Sequence, residues 1–217
     1  GCVKVEGAEN VTITSSYFTQ CRSRFGGGGI AIVSSPLLMY LSIKYTSFLK
    51  TSFAALGGGS NVTDDAPLLS RCGSAVYARL ETNGTEVHIN SVRVHDSSQY
   101  ISSNDSMWWS PAIGGSIVLD WPDDNVGHNW IASIQNVSFS GVGTVVDMEY
   151  VCSGYAACPA LSSLFLVFFG GNNAGRNGRL SSSDIDISHT YFDGNAYNAI
   201  SFGVYWVGAD SGNDLEW

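Results

Sequence analysis

The stretch Leu41-Ser42-Ile43-Lys44-Tyr45-Thr46-Ser47-Phe48 decides how this 217-residue chain is read. Leu41 and Ile43 stand two apart, a spacing that puts both side chains on one face of a strand and leaves Ser42 and Lys44 on the other. Phe48, five residues after Ile43, brings a large apolar group back to the inner side. The same phrase recurs as Val11 and Ile13 with Phe18, Val87 and Ile89 with Val94, Ala132 and Ile134 with Phe139, and Ile185 and Ile187 with Phe192. The Ile-to-partner offset never changes. The separations between successive Ile residues do: 30 (13 to 43), 46 (43 to 89), 45 (89 to 134) and 53 (134 to 187). A fixed phrase with variable filler marks a solenoid whose connections loop out.

Each phrase is a short, half-buried strand followed by turn-prone residues such as Thr14 to Ser16 or Ser188 to Thr190. Three places after the Phe or Val stand Cys21, Thr51, Ser97 and Asn195, with Val142 breaking the small or polar series. Glycines then precede a second apolar strand, Gly26 to Gly29 before Ile30 and Ile32, and Gly114-Gly115 before Ile117 and Leu119. One such unit cannot bury its own apolar face, but copies stacked about 4.8 Å apart align the Ile residues in one ladder and the Phe residues in another.

These residues predict an all-β chain, a right-handed parallel β-helix of about five or more coils. The structural alternative is a β-sandwich, which many short strands would also suit. The Phe-x-x-small and Gly-Gly-x-Ile elements resemble the repeats of polymorphic outer-membrane and pectin-lyase-like β-helix proteins. That resemblance spans about residues 10–207 and implies an architecture; it carries no catalytic residue across. A single domain, 1–217, is expected, with the surplus residues in loops near Ser60 to Cys72, Ser97 to Ala112, Asp120 to Asn129, Cys152 to Ala160 and Gly170 to Ser183. Charged residues make up 13% of the chain, against roughly 25% in an average soluble domain, so Ser, Thr, Asn and Gly must supply most of the surface.

Cysteines and sequons point to the secretory pathway and an extracellular or cell-surface location. Asn10, Asn61, Asn83, Asn104 and Asn136 each open an Asn-x-Ser/Thr sequon without Pro at the middle position, and none is an apolar position of the repeat, so all five are candidate carriers of N-linked glycans. Cys152 and Cys158 bracket a loop that a disulfide would staple, and Cys21 with Cys72 would bridge two coils, with buried free thiols as the alternative. Cys2 is then left over: reactive, joined to a neighbouring molecule, or paired in a way that spacing does not reveal. The chain opens with Gly1 and shows no leader pattern, as expected of a processed secreted chain or of a fragment. The longest apolar run, Leu164 to Phe169, is too short to span a bilayer. A net charge of −9 and only three Lys argue against nucleic acid and anionic membrane surfaces as partners.

No cofactor, metal or catalytic residue is expected. The outward ladders beside the Ile column, Thr12, Ser42, His88, Ser133 and Asp186 on one side and Thr14, Lys44, Asn90, Gln135 and Ser188 on the other, hold one acid, one Lys and one His. Asp186 and Lys44 fall three coils apart, about 14 Å, beyond the roughly 5 to 9.5 Å of a glycosidase carboxyl pair. The Asp120, Asp123, Asp124 and His128 group reads as a solvated turn, with calcium binding or catalysis as the sharper alternatives. The i, i+2 acid pairs Asp147 with Glu149 and Asp184 with Asp186 read as wet strand faces. His95-Asp96 and His189 lie near Ser residues, which carries little weight in a chain this rich in Ser. Aromatic residues at Tyr205, Trp206 and Trp217 gather near the C-terminus, where with Cys2 they are candidates for contacts between molecules. Uncapped strand ends favour head-to-tail growth. The functional expectation is a non-enzymatic, glycosylated structural protein that assembles with copies of itself into a filament or surface layer. A polysaccharide-binding or polysaccharide-cleaving protein and a cell-surface adhesin module are the alternatives.

Overall fold

The structure of the chain, a computed structural model, describes residues 1–23, 27–33, 35–55, 71–80, 82, 84–101, 113–121, 131–146, 160–170, 184–188, 191–193 and 198–206. Every strand among them joins one of four parallel sheets. The first sheet holds β1 (Val3–Val5), β5 (Ile30–Ile32), β9 (Arg71–Arg79), β13 (Ile113–Trp121), β17 (Ala160–Gly170) and β20 (Asn198–Trp206) in that order. The second is built from β2 (Asn10–Thr14), β6 (Tyr40–Lys44), β10 (Glu86–Asn90), β14 (Ile131–Gln135) and β18 (Asp184–Ser188). The third takes β3 (Tyr17–Thr19), β7 (Ser47–Leu49), β11 (Arg93–His95), β15 (Ser138–Ser140) and β19 (Tyr191–Asp193). The fourth has β4 (Arg22–Ser23), β8 (Ser52–Ala55), β12 (Ser98–Ile101) and β16 (Gly143–Val146). The chain therefore visits the four sheets in a constant order, and each return lays a strand beside its counterpart from the previous circuit. The described residues are all-β, with parallel strands in stacked sheets compatible with a β-helix or other solenoid. The antiparallel pairing of an ordinary sandwich is not found among them.

The repeated phrase sets the register. Ile13, Ile43, Ile89, Ile134 and Ile187 are successive partners across the second sheet, and Phe18, Phe48, Val94, Phe139 and Phe192 across the third. Ile43, Ile89, Ile134, Phe48, Val94 and Phe139 are at most 1% exposed. A fully buried side chain of this size contributes about 1.5–3 kcal/mol relative to an exposed one. Phe18 stacks on Phe48 with ring centroids 5.1 Å apart. The first sheet supplies the facing columns, Ile30, Val76 and Ile117, then Ile32, Ala78 and Leu119, all buried.

Corners between sheets repeat as faithfully as strands. Two residues past each Ile, Ser15, Tyr45, Ser91 and Asn136 take φ between 50° and 55°. Two residues past each Phe or Val, Gln20, Lys50, Asp96 and Gly141 do the same, at φ of 54°, 53°, 50° and 60°. A left-handed residue reverses the alternation once, so the residue after it points inward: Thr46, Val92 and Val137 at the first corner, and Cys21, Thr51, Ser97 and Val142 at the second, are all buried. Thr51 and Ser97 share a hydrogen bond 2.8 Å long between their hydroxyls, so two buried polar groups satisfy each other. Backbone bonds also cross the corners, Ser15 N to Lys44 O at 3.0 Å and Lys50 N to His95 O at 3.0 Å among them.

Glycine is required where circuits approach closely. A Cβ on Gly28 would lie 2.2 Å from the Ser74 carbonyl oxygen, so the bare backbone alone fits beside β9.

Two sequence expectations are corrected. Cys21 is disulfide-bonded to Cys2 and so is not available to Cys72, which lies on β9 opposite Gly114. Spacing between cysteines could not reveal this, because Cys2 and Cys21 meet only when the first circuit closes on itself. Several expected loops also begin later or end earlier than their residues suggested. Arg71 and Cys72 belong to β9, Ser98–Ile101 form β12 between β8 and β16, and Asp120 and Trp121 complete β13. Pairing on both sides holds the polar segment Ser98–Gln99 in a sheet.

Candidate functional site

Two surfaces carry chemistry: the open edge of the stack and the outward ladders of the second and third sheets. Among the described residues, β1, β2, β3 and β4 stand first in the four sheets, each paired with its counterpart from the next circuit. Tyr40, the partner of Asn10, sends its amide toward the edge circuit, to Glu9 O at 3.4 Å. By the alternation of a parallel ladder, the amides of Asn10, Thr12 and Thr14 face the open side. Val3, Val5, Ala8, Ile13 and Phe18 pack on the core yet remain only partly buried. Ile13 and Phe18 are half-buried, whereas Ile43 and Phe48 in the next circuit are fully buried. The Cys2–Cys21 disulfide and the Gly1 ammonium, which donates to Arg22 O at 2.7 Å, tie the beginning of this circuit to its end. Among the described residues, β20, β18, β19 and β16 stand last in the four sheets. Tyr205 and Trp206 lie on β20 opposite Phe169 and Gly170, whereas Trp217 lies outside the described residues. Cys2, expected to be spare for a contact between molecules, is used within the chain.

On the outer face of the second sheet, Tyr40 and His88 rings lie 5.4 Å apart, and His88 Nε2 is 3.5 Å from Glu86 Oε2. Ser42 was expected to face solvent. It is 1% exposed, flanked by Tyr40 two residues earlier and by His88 in the next circuit, and its Oγ has no hydrogen-bond partner.

The third sheet brings together three groups that the sequence keeps apart. His95 and Ser140 are register partners on β11 and β15, and His95 Nδ1 is 2.6 Å from Ser140 Oγ. On the far side of the ring, Nε2 lies 3.3 Å from Asp96 Oδ2. His95 and Asp96 side chains are half exposed, at 54% and 44%. The carboxylate lies beside Gly141, where a Cβ would come within 2.6 Å of Asp96 Oδ1. Adjacency of His95 and Asp96 was visible in the sequence. Ser140, 45 residues from His95, was not, because only the register identifies it among many serines.

The remaining expected sites divide cleanly. Asn10, at the start of β2, and Asn136, at a left-handed corner, are exposed, as a glycan acceptor must be. Asn61, Asn83, Asn104, Cys152, Cys158, Asp123, Asp124, His128, Asp147, Glu149 and His189 lie outside the described residues. Asp120 sits on β13 opposite Arg79 and Val167, away from any partner acid in register. Asp184 and Asp186 lie on β18 opposite Ile131 and Ser133. Among the described residues no group of three His, Cys, Asp or Glu could hold a metal ion, and no helix is long and apolar enough to cross a membrane. Comparison of the chain with protein-family models, curated proteins and solved structures finds no match.

Proposed function

We propose that the chain is a right-handed parallel β-helix that serves as an extracellular structural protein, stacking end to end on copies of itself into a filament or surface layer. One observation supports this reading: the Ile and Phe columns keep the same register from circuit to circuit, a pattern that a further circuit of the same kind would extend in parallel. A second copy whose circuits follow the same order of sheets would continue them in parallel. The right hand follows from the steric preference of parallel crossovers. A heterologous contact of this kind repeats without limit unless its rotation closes a ring. An oxidising compartment suits the Cys2–Cys21 bridge, and N-linked glycans at Asn10 and Asn136 would stand on the flanks of the stack.

Electron microscopy and sedimentation of the purified chain over a concentration series test the proposal. Filaments or concentration-dependent oligomers are expected, and Thr14→Pro, which removes an amide from the open side alone, should abolish them while leaving the β-sheet circular dichroism intact. A monodisperse monomer at high concentration, or assembly unchanged in Thr14→Pro, overturns the edge-to-edge reading.

A further inference from the structure

We propose that Ser140 is a base-activated nucleophile toward carboxylic esters, with His95 as its general base and Asp96 as the residue that positions His95. The reading rests on geometry independent of the stack edges. Ser140 Oγ lies 2.6 Å from His95 Nδ1, within proton-transfer reach, and Asp96 Oδ2 lies 3.3 Å from the opposite ring nitrogen. A carboxylate near Nε2 favours the tautomer with its proton there, and in that tautomer the Nδ1 lone pair accepts from Ser140. This is the nucleophile, base and orienting acid of acyl transfer, with the two ring nitrogens exchanged relative to the serine-protease arrangement.

Local structure supports the arrangement in two further ways. His95 and Ser140 are held by the register of adjacent strands, so their separation is set by the ladder and does not depend on a loop. Gly141 leaves the space that the Asp96 carboxylate fills. The equivalent corner position takes Gln20, Lys50 and Asp96 in the other circuits with nearly the same φ, so the backbone there does not itself demand glycine. What the missing Cβ provides is room.

The step balances without a cofactor. Ser140 Oγ bonds to the ester carbonyl carbon as its proton passes to His95 Nδ1; the bond from carbon to the alkoxide oxygen breaks, and the alkoxide leaves with that proton as alcohol. Water then attacks the acyl group, giving a proton to His95, which returns it to Ser140 as the carboxylic acid departs. Small activated esters, which need no acyl-chain pocket, are suitable probes of this half-exposed site.

The purified full chain is incubated with p-nitrophenyl acetate, nitrophenol release is followed, and the acetylated peptide is located by mass spectrometry. Acetyl should be found on Ser140, and release should fall at least about tenfold in Ser140→Ala and His95→Gln, since a positioned base contributes roughly 10²–10⁴-fold. His88→Ala, on the second sheet, should leave release unchanged. Asp96→Asn and Gly141→Ala should slow acetylation without changing circular dichroism, and Asp96→Asn should move the His95 proton from Nε2 in nitrogen-15 NMR spectra. Acetyl spread over other residues, or release undiminished in Ser140→Ala, overturns the proposal. A His95 tautomer unaffected by Asp96→Asn removes Asp96 from it.

Discussion

The second and first sheets of this protein solve burial differently. In the second sheet, β10 and β14 each read exposed, buried, half-buried, buried, half-buried, so one face meets the core and the other meets water. In the first sheet, Ile30, Ala31 and Ile32 are all buried, and the outward positions Tyr77 and Val118 are 5% and 0% exposed. The register differs too. Second-sheet strands are five residues long and pair without slippage, whereas first-sheet strands lengthen from three residues at β1 and β5 to nine at β9 and β13, with a shift between Gly115 and Ile117. An alternating strand announces its inner face to a reader of sequence. A strand covered on both sides reads as a continuous apolar run, and its partners must be found in space.

The sharpest way to break that contrast is to place a charge at an outward position in each sheet. Val118→Asp should destabilise the protein by several kcal/mol, as a core substitution would, because its carboxylate loses water without gaining a partner. Ser133→Lys, outward on β14, half-buried and opposite Asp186, should stay within about 0.5 kcal/mol. Urea titration of both variants measures the difference; equal effects would mean that the two outer faces are alike.

A smaller effect is expected at the circuit where the sheets begin. Replacing Cys2 and Cys21 together by Ser removes the bridge that closes a segment with sequence separation 19, worth about 3 kcal/mol for a loop of this size. The loss should be local. Amide hydrogen exchange is expected to rise across β1 to β3 and to leave β10 and β11 protected, which would show that the edge circuit is held by its staple and the inner ones by neighbours on both sides.

The smallest effect concerns the corners. Lys50 at φ 53° takes a conformation that costs a side chain roughly 1 kcal/mol, so Lys50→Gly should raise stability slightly or leave it level, by at most about 1 kcal/mol after glycine's extra unfolded-state entropy. Gly141→Ala at the same corner should lower it by a similar amount. Thermal melts of the pair test whether the corner geometry is set by the stack or by the residue that occupies it.

Much of the architecture was legible in five phrases. The Ile and Phe columns follow from a constant offset, and the glycines before Ile30 and Ile117 marked a second strand correctly. The left-handed corners were not legible, because Ser15, Tyr45, Ser91 and Asn136 at one and Gln20, Lys50, Asp96 and Gly141 at the other share no chemistry. Their only common signal is the count from the preceding apolar residue. Ser42 was placed outward correctly in register, but its burial depends on taller neighbours that a single strand does not reveal. Cys21 was paired with the wrong cysteine because closure of the first circuit is a property of the whole turn. Asn10 is exposed just before inward-facing Val11, as local alternation suggests, whereas the exposure of Asn136 depends on its left-handed corner.

By itself the amino-acid order determined which side chains of the repeated strands turn inward, because that direction alternates along one segment and needs no partner. The tertiary structure decided which residues meet across circuits: His95 with Ser140, Cys2 with Cys21, and the neighbours that bury both faces of the first sheet. Such meetings depend on how each connecting segment returns the chain to the stack, and segments of very different composition return it to the same register. Their lengths leave no local trace of the contact they create.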